Sequence, residues 1–168
     1  HTLESLDRSF KWIHASNSGA VANFPTPHCN AVRIGLSLYG YSDYEVDLKP
    51  VMRLVTQLHE VKKVLKGEKI GYNATYTTAQ DEWNGTLSIG YADGISRFFQ
   101  GAHCYVEGNY CEYVGRISMD LSVIKLDKNY PIGTEVELLG PHLDIHKLAE
   151  HVGTIPYEFL VQLNDRIP

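Results

Sequence analysis

The spacing of apolar residues divides the chain into a short first part and a longer second part of different character. Leu3, Leu6 and Phe10 recur at helical spacing, which predicts the end of an amphipathic helix over residues 3–10. Two strands are predicted next, over residues 11–15 and 31–36, with a polar loop at 16–19. The order helix, strand, crossover, strand is typical of an α/β barrel. A whole barrel needs about 250 residues, so residues 1–42 predict only its last elements.

The second part, residues 43–168, is predicted to be a mainly β domain. Its boundary follows an acidic stretch that ends at Asp47, and Pro50 opens the β-rich sequence. Turn residues mark Asn84-Gly85 as a turn and Gly108-Asn109 as the tip of a hairpin. Predicted strands cover residues 51–64, 86–89, 102–106, 110–114, 122–126 and 135–139. Two helices are predicted to close the chain, one capped by Asp144 and one started by Thr154 and Pro156.

Composition excludes several classes of protein. The 168 residues carry a net charge of -5 with scattered basic residues, so we expect no nucleic-acid partner and no membrane partner. Three cysteines without C-x-x-C spacing argue against disulfides and zinc, and favour the reducing cytoplasm. His142, His146 and His151 lie at spacings of four and five, which places them on different helix faces. We therefore expect no metal site.

Three glycine-rich stretches are candidates for a functional site: residues 71–76 (GYNATY), 90–94 (GYADG) and 115–120 (GRISMD). A tyrosine flanked by glycine and small residues displays its phenol where a ligand can approach. Taken together and in this order, the stretches resemble the carboxy-terminal half of bacterial alanine racemase, a pyridoxal-phosphate enzyme of fold type III. The resemblance runs from about Trp12 to Pro168. It implies the carboxy-terminal β-domain of that family, preceded by the last β/α elements of its barrel.

The resemblance also implies a reaction. In the family, L-alanine and D-alanine are interconverted for peptidoglycan synthesis through an aldimine with pyridoxal 5'-phosphate, and two bases, a lysine and a tyrosine, exchange the α-proton. Tyr72 matches the catalytic tyrosine. Because the family's tyrosine acts in the active site of the neighbouring subunit, the resemblance implies a homodimer with shared active sites.

The cofactor residues follow from the same resemblance. The family's phosphate contacts correspond here to Ser18, Gly35, Leu36 and Tyr157. Arg33 matches the arginine that bonds the pyridine nitrogen, and a guanidinium that stays protonated leaves that nitrogen unprotonated. This weakens the electron sink and disfavours side reactions such as decarboxylation and transamination. His14 would lie near Arg33 as a supporting partner, although a lone histidine at a strand end is more often structural.

Substrate contacts are implied in the second part. Met119 matches the residue whose backbone N–H holds the substrate carboxylate. Tyr91 resembles a tyrosine that lines the entrance, and Arg97 and Arg116 match arginines further out, where positive charge would attract a carboxylate. Without the resemblance these residues would be read as core fillers and solvated surface arginines.

One departure from the family pattern limits the expected activity. The lysine that binds the cofactor precedes an A-x-A-Y-G type motif in the family, and no lysine of this sequence lies in such a context. We therefore expect an inactive fragment of an active enzyme. Two alternatives remain open: a racemase of serine or another small amino acid, and a β-barrel binding module that kept the fold without catalysis. Tyr91 and Tyr157 would keep the pocket tight, which favours alanine.

Overall fold

The computed structural model describes residues 10–25 and 28–168. The chain divides into two compact units, with bounds at His1–Val51 and Met52–Pro168. We call them the N-unit and the barrel unit. The helix predicted over residues 3–10 lies, apart from Phe10, outside the described residues. No helix in the described part of the chain is long and apolar enough to span a membrane.

The N-unit contains a short helix, α1 (Ser18–Asn23), and a 3-10 helix (Leu36–Tyr39). The strands predicted over 11–15 and 31–36 are wrong, because neither segment forms a strand; Arg33 makes one isolated parallel bridge, to Asn17. The side chain of Asn30 accepts from the amide of Ile13 (2.7 Å) and donates to the carbonyl of Lys11 (3.0 Å), beside backbone bonds from Asn30 and Ala31 to the carbonyl of Ile13 (3.0 and 3.3 Å). A side chain therefore satisfies backbone groups that a neighbouring strand would otherwise bond.

The loop predicted at 16–19 is also corrected. Asn17 accepts a hydrogen bond from the amide of Ala20 at 2.9 Å, and this N-cap starts α1 at Ser18.

Strands dominate the described residues of the barrel unit. They are β1 (Leu54–Val64), β2 (Lys69–Ile70), β3 (Tyr76–Thr77), β4 (Glu82–Leu87), β5 (His103–Val106), β6 (Asn109–Glu112), β7 (Ser122–Leu126) and β8 (Glu135–Leu139). Two helices follow, α2 (Ile145–Val152) and α3 (Pro156–Gln162). The predicted strands at 122–126 and 135–139 and the Asp144 cap are confirmed.

Six of these strands form one antiparallel sheet in the order β6-β5-β8-β1-β4-β7, and β2 pairs with β3. The two edge strands approach each other where Tyr113 bridges to Ile124 and the amide of Val114 donates to the carbonyl of Val123 at 2.9 Å. The sheet is thus nearly closed into a barrel, which leaves few unpaired edge groups. The mainly β fold class is confirmed.

Apolar side chains fill the core of the barrel unit. Phe99, at 0% exposure, stacks on Phe159 of α3 with ring centroids 5.7 Å apart and contacts Tyr113 at 5.5 Å. Cys104 and Cys111 face each other across β5 and β6 as free thiols. Burial raises the pKa of both, that of Cys111 to about 11, so both thiols stay protonated at neutral pH.

The turn predicted at Asn84-Gly85 is wrong, because both residues lie inside β4 and are buried. A Cβ on Gly85 would lie 2.5 Å from Cδ2 of Leu58 and 3.1 Å from Cδ1 of Leu126. The glycine therefore makes room for side chains inside the barrel instead of turning the chain.

The predicted hairpin of β5 and β6 is confirmed, with its tip one residue earlier than expected. Val106 pairs with Asn109, so the two-residue turn is Glu107-Gly108. Their φ angles of 43° and 95° suit the tight turns that join two strands.

Candidate active-site face

The three glycine-rich stretches meet in the barrel unit through backbone contacts. A Cβ on Gly90 would lie only 2.3 Å from the carbonyl oxygen of Met119, so a side chain at position 90 would separate the two turns. The next two amides, of Tyr91 and Ala92, donate to the carbonyls of Ser118 and Met119, each at 3.0 Å. The second stretch is thereby joined directly to the third.

The first stretch packs on the same third stretch. A Cβ on Gly71 would lie 2.9 Å from the amide nitrogen of Arg116, and a Cβ on Gly115 would lie 2.9 Å from the carbonyl oxygen of Ile70. Both glycines have positive φ, 76° and 71°, which L side chains rarely adopt. Residues 115–120 therefore contact both of the tyrosine-bearing turns.

Tyr72 is displayed on a strained turn between β2 and β3. It begins the 3-10 helix Tyr72–Ala74 and is 66% exposed. Asn73 and Ala74 follow with φ of 60° and 52°, a left-handed conformation that is uncommon for residues other than glycine. Such strain persists only where the surrounding structure holds it, and it recurs at functional sites.

A buried carboxylate holds the far end of this turn. Tyr76, in β3, donates its hydroxyl to Glu82 Oε2 at 3.0 Å, and Lys125 Nζ lies 3.1 Å from the same oxygen. Burial, and next the bond to Glu82, raise the pKa of the Tyr76 hydroxyl, which therefore remains a donor. Sequence reasoning missed Glu82; the available signal was an acidic residue in a segment of otherwise strand-like sequence.

The two arginines that were predicted to line the entrance lie in one depression. Arg97 and Arg116, with Phe98 and Gln100, line a hollow of about 360 Å³. Gln100 Nε2 donates to the carbonyl of Thr75 at 3.3 Å, so this hollow borders the Tyr72 turn.

Tyr91 and Met119 are about half exposed, at 45% and 51%. The turn that carries Met119 is closed by Ser118, whose hydroxyl donates to the carbonyl of Leu121 (2.8 Å) and accepts from its amide (2.9 Å). Tyr157 is the second residue of α3 and is 42% exposed. These side chains are all available to a ligand or partner.

Sequence reasoning also missed three charged residues beside these turns. Arg166 bonds Asp120 through Nη2 (2.6 Å) and approaches Asp93 through Nε (3.3 Å). Asp93 and Asp120 belong to the second and third stretches. The signal for the two aspartates was an acidic residue within the second and within the third glycine-rich stretch.

In the N-unit, the predicted phosphate residues Ser18, Gly35 and Leu36 come together. The Ser18 hydroxyl oxygen accepts from the amide of Gly35 at 3.1 Å, and Leu36 begins the 3-10 helix. Arg33 Nη2 donates to the carbonyl of Ala15 at 2.8 Å. His14 is exposed, and no hydrogen bond joins it to Arg33 among the described residues.

The C-terminal histidines are held by other groups. His142 Nδ1 lies 3.0 Å from Glu137 Oε2, and His151 Nε2 donates to the carbonyl of Gln100 at 3.0 Å. Over residues 10–25 and 28–168, no three histidine, cysteine or acidic side chains are placed to bind a metal ion.

Comparison with known families gives two matches along the chain. The family model described as alanine racemase, C-terminal domain, matches residues 51–168, and the one described as alanine racemase, N-terminal domain, matches residues 1–43.

Individual relatives agree. The chain is 41% identical to the alanine racemase of Lactococcus lactis subsp. cremoris in an alignment of 176 positions. This alignment covers 98% of the chain and 48% of the relative. The solved structure of alanine racemase from Bacillus anthracis with bound L-Ala-P is 38% identical with a TM-score of 0.89, over 98% of this chain and 46% of that one. Alanine racemase from Bartonella henselae with covalently bound pyridoxal phosphate is 32% identical with a TM-score of 0.85, over 92% and 45%.

The chain thus spans about half the length of the relatives it matches. The matched regions include all three glycine-rich stretches that the barrel unit brings together. We conclude that this chain belongs to the alanine racemase family.

Proposed function

We propose that the chain is the carboxy-terminal portion of a pyridoxal-phosphate alanine racemase that interconverts L-alanine and D-alanine, and so supplies D-alanine for peptidoglycan. The observation that carries the proposal is the meeting of the three glycine-rich stretches through backbone contacts. Each stretch exposes one of the predicted site residues Tyr72, Tyr91 and Met119. The relatives with bound L-Ala-P and with pyridoxal phosphate support the substrate and the cofactor.

The N-unit residues fit a cofactor phosphate. The Ser18 oxygen accepts from Gly35, so the Ser18 hydroxyl proton remains available to donate to a phosphate oxygen. The first amides of the 3-10 helix that starts at Leu36 have no partner within that helix, as at any helix start. We assign the phosphate contacts to Ser18, Gly35, Leu36 and Tyr157.

Arg33 could donate a hydrogen bond to the unprotonated pyridine nitrogen of pyridoxal phosphate. Its Nη2 bonds the carbonyl of Ala15, which fixes the guanidinium while other N–H groups remain free to donate. Because arginine donates and does not release its proton, a ring nitrogen that bonds it stays unprotonated. His14 would support Arg33 in this role. When bound, pyridoxal phosphate withdraws electrons from the bond between Cα and its hydrogen, and so makes that proton removable.

Tyr72 is proposed to remove or return the proton at the substrate Cα. The exposed phenol can reach beyond its own unit, which suits a tyrosine that serves the site of a partner subunit in a homodimer. The backbone N–H of Met119 would hold the substrate carboxylate. Tyr91 would narrow the entrance, and Arg97 and Arg116 in their shared hollow would attract the carboxylate toward it.

The second base, a lysine, is not identified among these 168 residues, so we expect the chain by itself to racemise nothing. We place the enzyme in the cytoplasm, because Cys29, Cys104 and Cys111 are free thiols and a reducing compartment keeps them so.

The test joins this chain to the amino-terminal half of the Lactococcus lactis racemase, the 41% identical relative, and measures conversion of L-alanine to D-alanine by chiral chromatography. We expect racemisation by the joined protein and none by the chain alone. Failure of a folded joined protein to racemise alanine would contradict the proposal. L-serine in the same assay tests the alternative specificity.

Tyr72→Phe in the joined protein removes the phenolic proton acceptor. We expect a loss of roughly a hundredfold or more in racemisation, the scale of general acid–base catalysis. Deuterium uptake from heavy water should fall far more for one alanine enantiomer than for the other, because only one face of the substrate loses its base. Tyr110→Phe is the matched control, since Tyr110 is 61% exposed, close to the 66% of Tyr72, and lies outside the three stretches. Equal loss for both enantiomers would contradict the role of Tyr72.

A further inference from the structure

Arg166 follows α3 and joins the two turns that carry Tyr91 and Met119. Its Nη2 donates to Asp120 Oδ1 at 2.6 Å, and its Nε lies 3.3 Å from Asp93 Oδ1. Asp120 directly follows Met119, and Asp93 ends the 3-10 helix Tyr91–Asp93. One guanidinium thus donates a hydrogen bond to the third glycine-rich stretch and forms an ion pair with the second.

The bonded groups are themselves anchored. Asp93, which is 9% exposed, accepts the amide of Gly90 on its second oxygen at 2.8 Å, and so closes the Tyr91 turn. Asn164 donates its side-chain amide to the carbonyl of Ala92 at 2.9 Å and accepts the amide of Arg166 at 3.1 Å. The backbone that presents Arg166 is therefore tied to the same turn that its side chain contacts.

An arginine suits this arrangement, in which Nη2 donates a hydrogen bond to Asp120 while Nε forms an ion pair with Asp93. Its planar fork offers donors at Nε and Nη2 that can reach two carboxylates in fixed directions, whereas a lysine offers one point charge on a flexible stem. A substitution that removes the fork leaves the two turns connected by their backbone bonds alone.

We propose that Arg166 is a positioning residue, which fixes the backbone amide of Met119 and the ring of Tyr91 relative to each other without touching the substrate. The inference rests on the proposed function for the roles of Met119 and Tyr91. Loss of Arg166 should loosen the carboxylate contact and the entrance together, and leave the Tyr72 turn in place, because Gly71 and Gly115 hold that turn through a different contact.

The chain has two methionines, Met52 and Met119, so its ¹³C-methyl methionine spectrum holds one signal at the site and one away from it. We expect Arg166→Gln to shift or broaden the Met119 methyl signal and leave that of Met52 unchanged. Amide hydrogen exchange at Tyr91 and Ala92 should rise about fivefold, the scale of losing partly exposed ion pairs.

Arg53→Gln is the matched control. Arg53 also bridges two carboxylates, those of Glu135 and Glu137, and stands beside Met52 in the sequence. We expect this variant to move the Met52 signal and not that of Met119. A general loosening, in which Arg166→Gln moves both signals, would overturn the positioning role, and so would an unmoved Met119 signal.

Kinetics of the joined racemase separate the two proposals. We expect Arg166→Gln to raise KM for alanine by about tenfold with kcat within about threefold, because a mispositioned amide weakens binding of a carboxylate that does not react. Unchanged KM would overturn the positioning role. A joined protein that is inactive with Arg166 in place would overturn the proposed function, while the methyl spectra would still decide the role of Arg166.

Discussion

The two units bury their apolar residues very differently. In the described part of the N-unit, Trp12, Phe24 and Leu38 are exposed at 63%, 68% and 70%, and the buried apolar residues there are Leu36 and Tyr41. In the barrel unit, Leu87, Phe99 and Val136 are all at 0%. The barrel unit therefore has a core of its own, whereas the described N-unit has little of one.

The proposed site residues are divided between these two units. Tyr72 and Met119 stand on a unit whose sheet and core can hold strained turns in place. Ser18 and Arg33 stand on a unit in which the side chains of Asn17 and Asn30 bond backbone groups.

The largest effect should come from the barrel core. We expect Phe99→Ala to lower the free energy of unfolding by about 3–5 kcal/mol, because it removes a stacked, fully buried ring. Urea denaturation followed by circular dichroism measures this change. The neighbouring Phe98→Ala (73% exposed) and Phe24→Ala in the N-unit (68%) should each change it by less than about 0.5 kcal/mol. A large loss for Phe24→Ala would show that the N-unit has a core after all.

Two glycines with the same predicted overlap sharpen the comparison. A Cβ on Gly85 would lie 2.5 Å from Leu58, which is 1% exposed, and a Cβ on Gly19 would lie 2.5 Å from the hydroxyl of Tyr44, which is 48% exposed. We expect Gly85→Ala to cost about 1–3 kcal/mol of unfolding free energy, because the packed Leu58 cannot move freely.

Gly19→Ala should be close to neutral, since Tyr44 can swing outward and alanine favours helix α1 by up to about 1 kcal/mol over glycine. Thermal unfolding of both variants checks the pair. Equal losses would show that Tyr44 is held as firmly as a core residue.

The smallest effect should be the change that a substitution of Glu137 makes in the acid sensitivity of the barrel unit. Burial by itself would raise the pKa of the Glu137 carboxyl, but hydrogen bonds from His142 and Arg53 outweigh burial and lower it. A carboxyl with a lowered pKa stabilises the fold above its ordinary value of 4.5, and this contribution is lost as the pH falls through the folded-state pKa.

The fluorescence of Trp83 in β4, measured in a Trp12→Phe background, follows the barrel unit alone. We expect the urea midpoint of the barrel unit to change less with pH in Glu137→Gln than in the unsubstituted chain, below a pH of about 4.5. Glu135→Gln is the control, because Glu135 is exposed and should leave more of that dependence in place. An unchanged slope in Glu137→Gln would assign the acid sensitivity to other groups.

Local patterns predicted much of the barrel unit. Alternation of apolar residues identified β7 and β8 at their observed bounds, Gly108 marked the hairpin, and Asp144 marked the start of α2. These features depend on side-chain period and turn chemistry, which neighbouring residues determine. The three glycine-rich stretches were also recognisable, and the family they indicated is the one to which the chain belongs.

What the sequence alone could not determine depends on residues far apart in the chain. Gly85 was read as a turn, but its neighbours in space, Leu58 and Leu126, make it a packing position. The side chain of Asn30 bonds Ile13 and Lys11, which lie 17 and 19 residues away. The sequence by itself determined many of the strands, the starts of α2 and α3, and the family. The tertiary structure decided barrel closure, the meeting of the three turns and the bonds of Glu82 and Arg166. The physical reason is that these contacts depend on which distant segments pack together, and no local pattern records that choice.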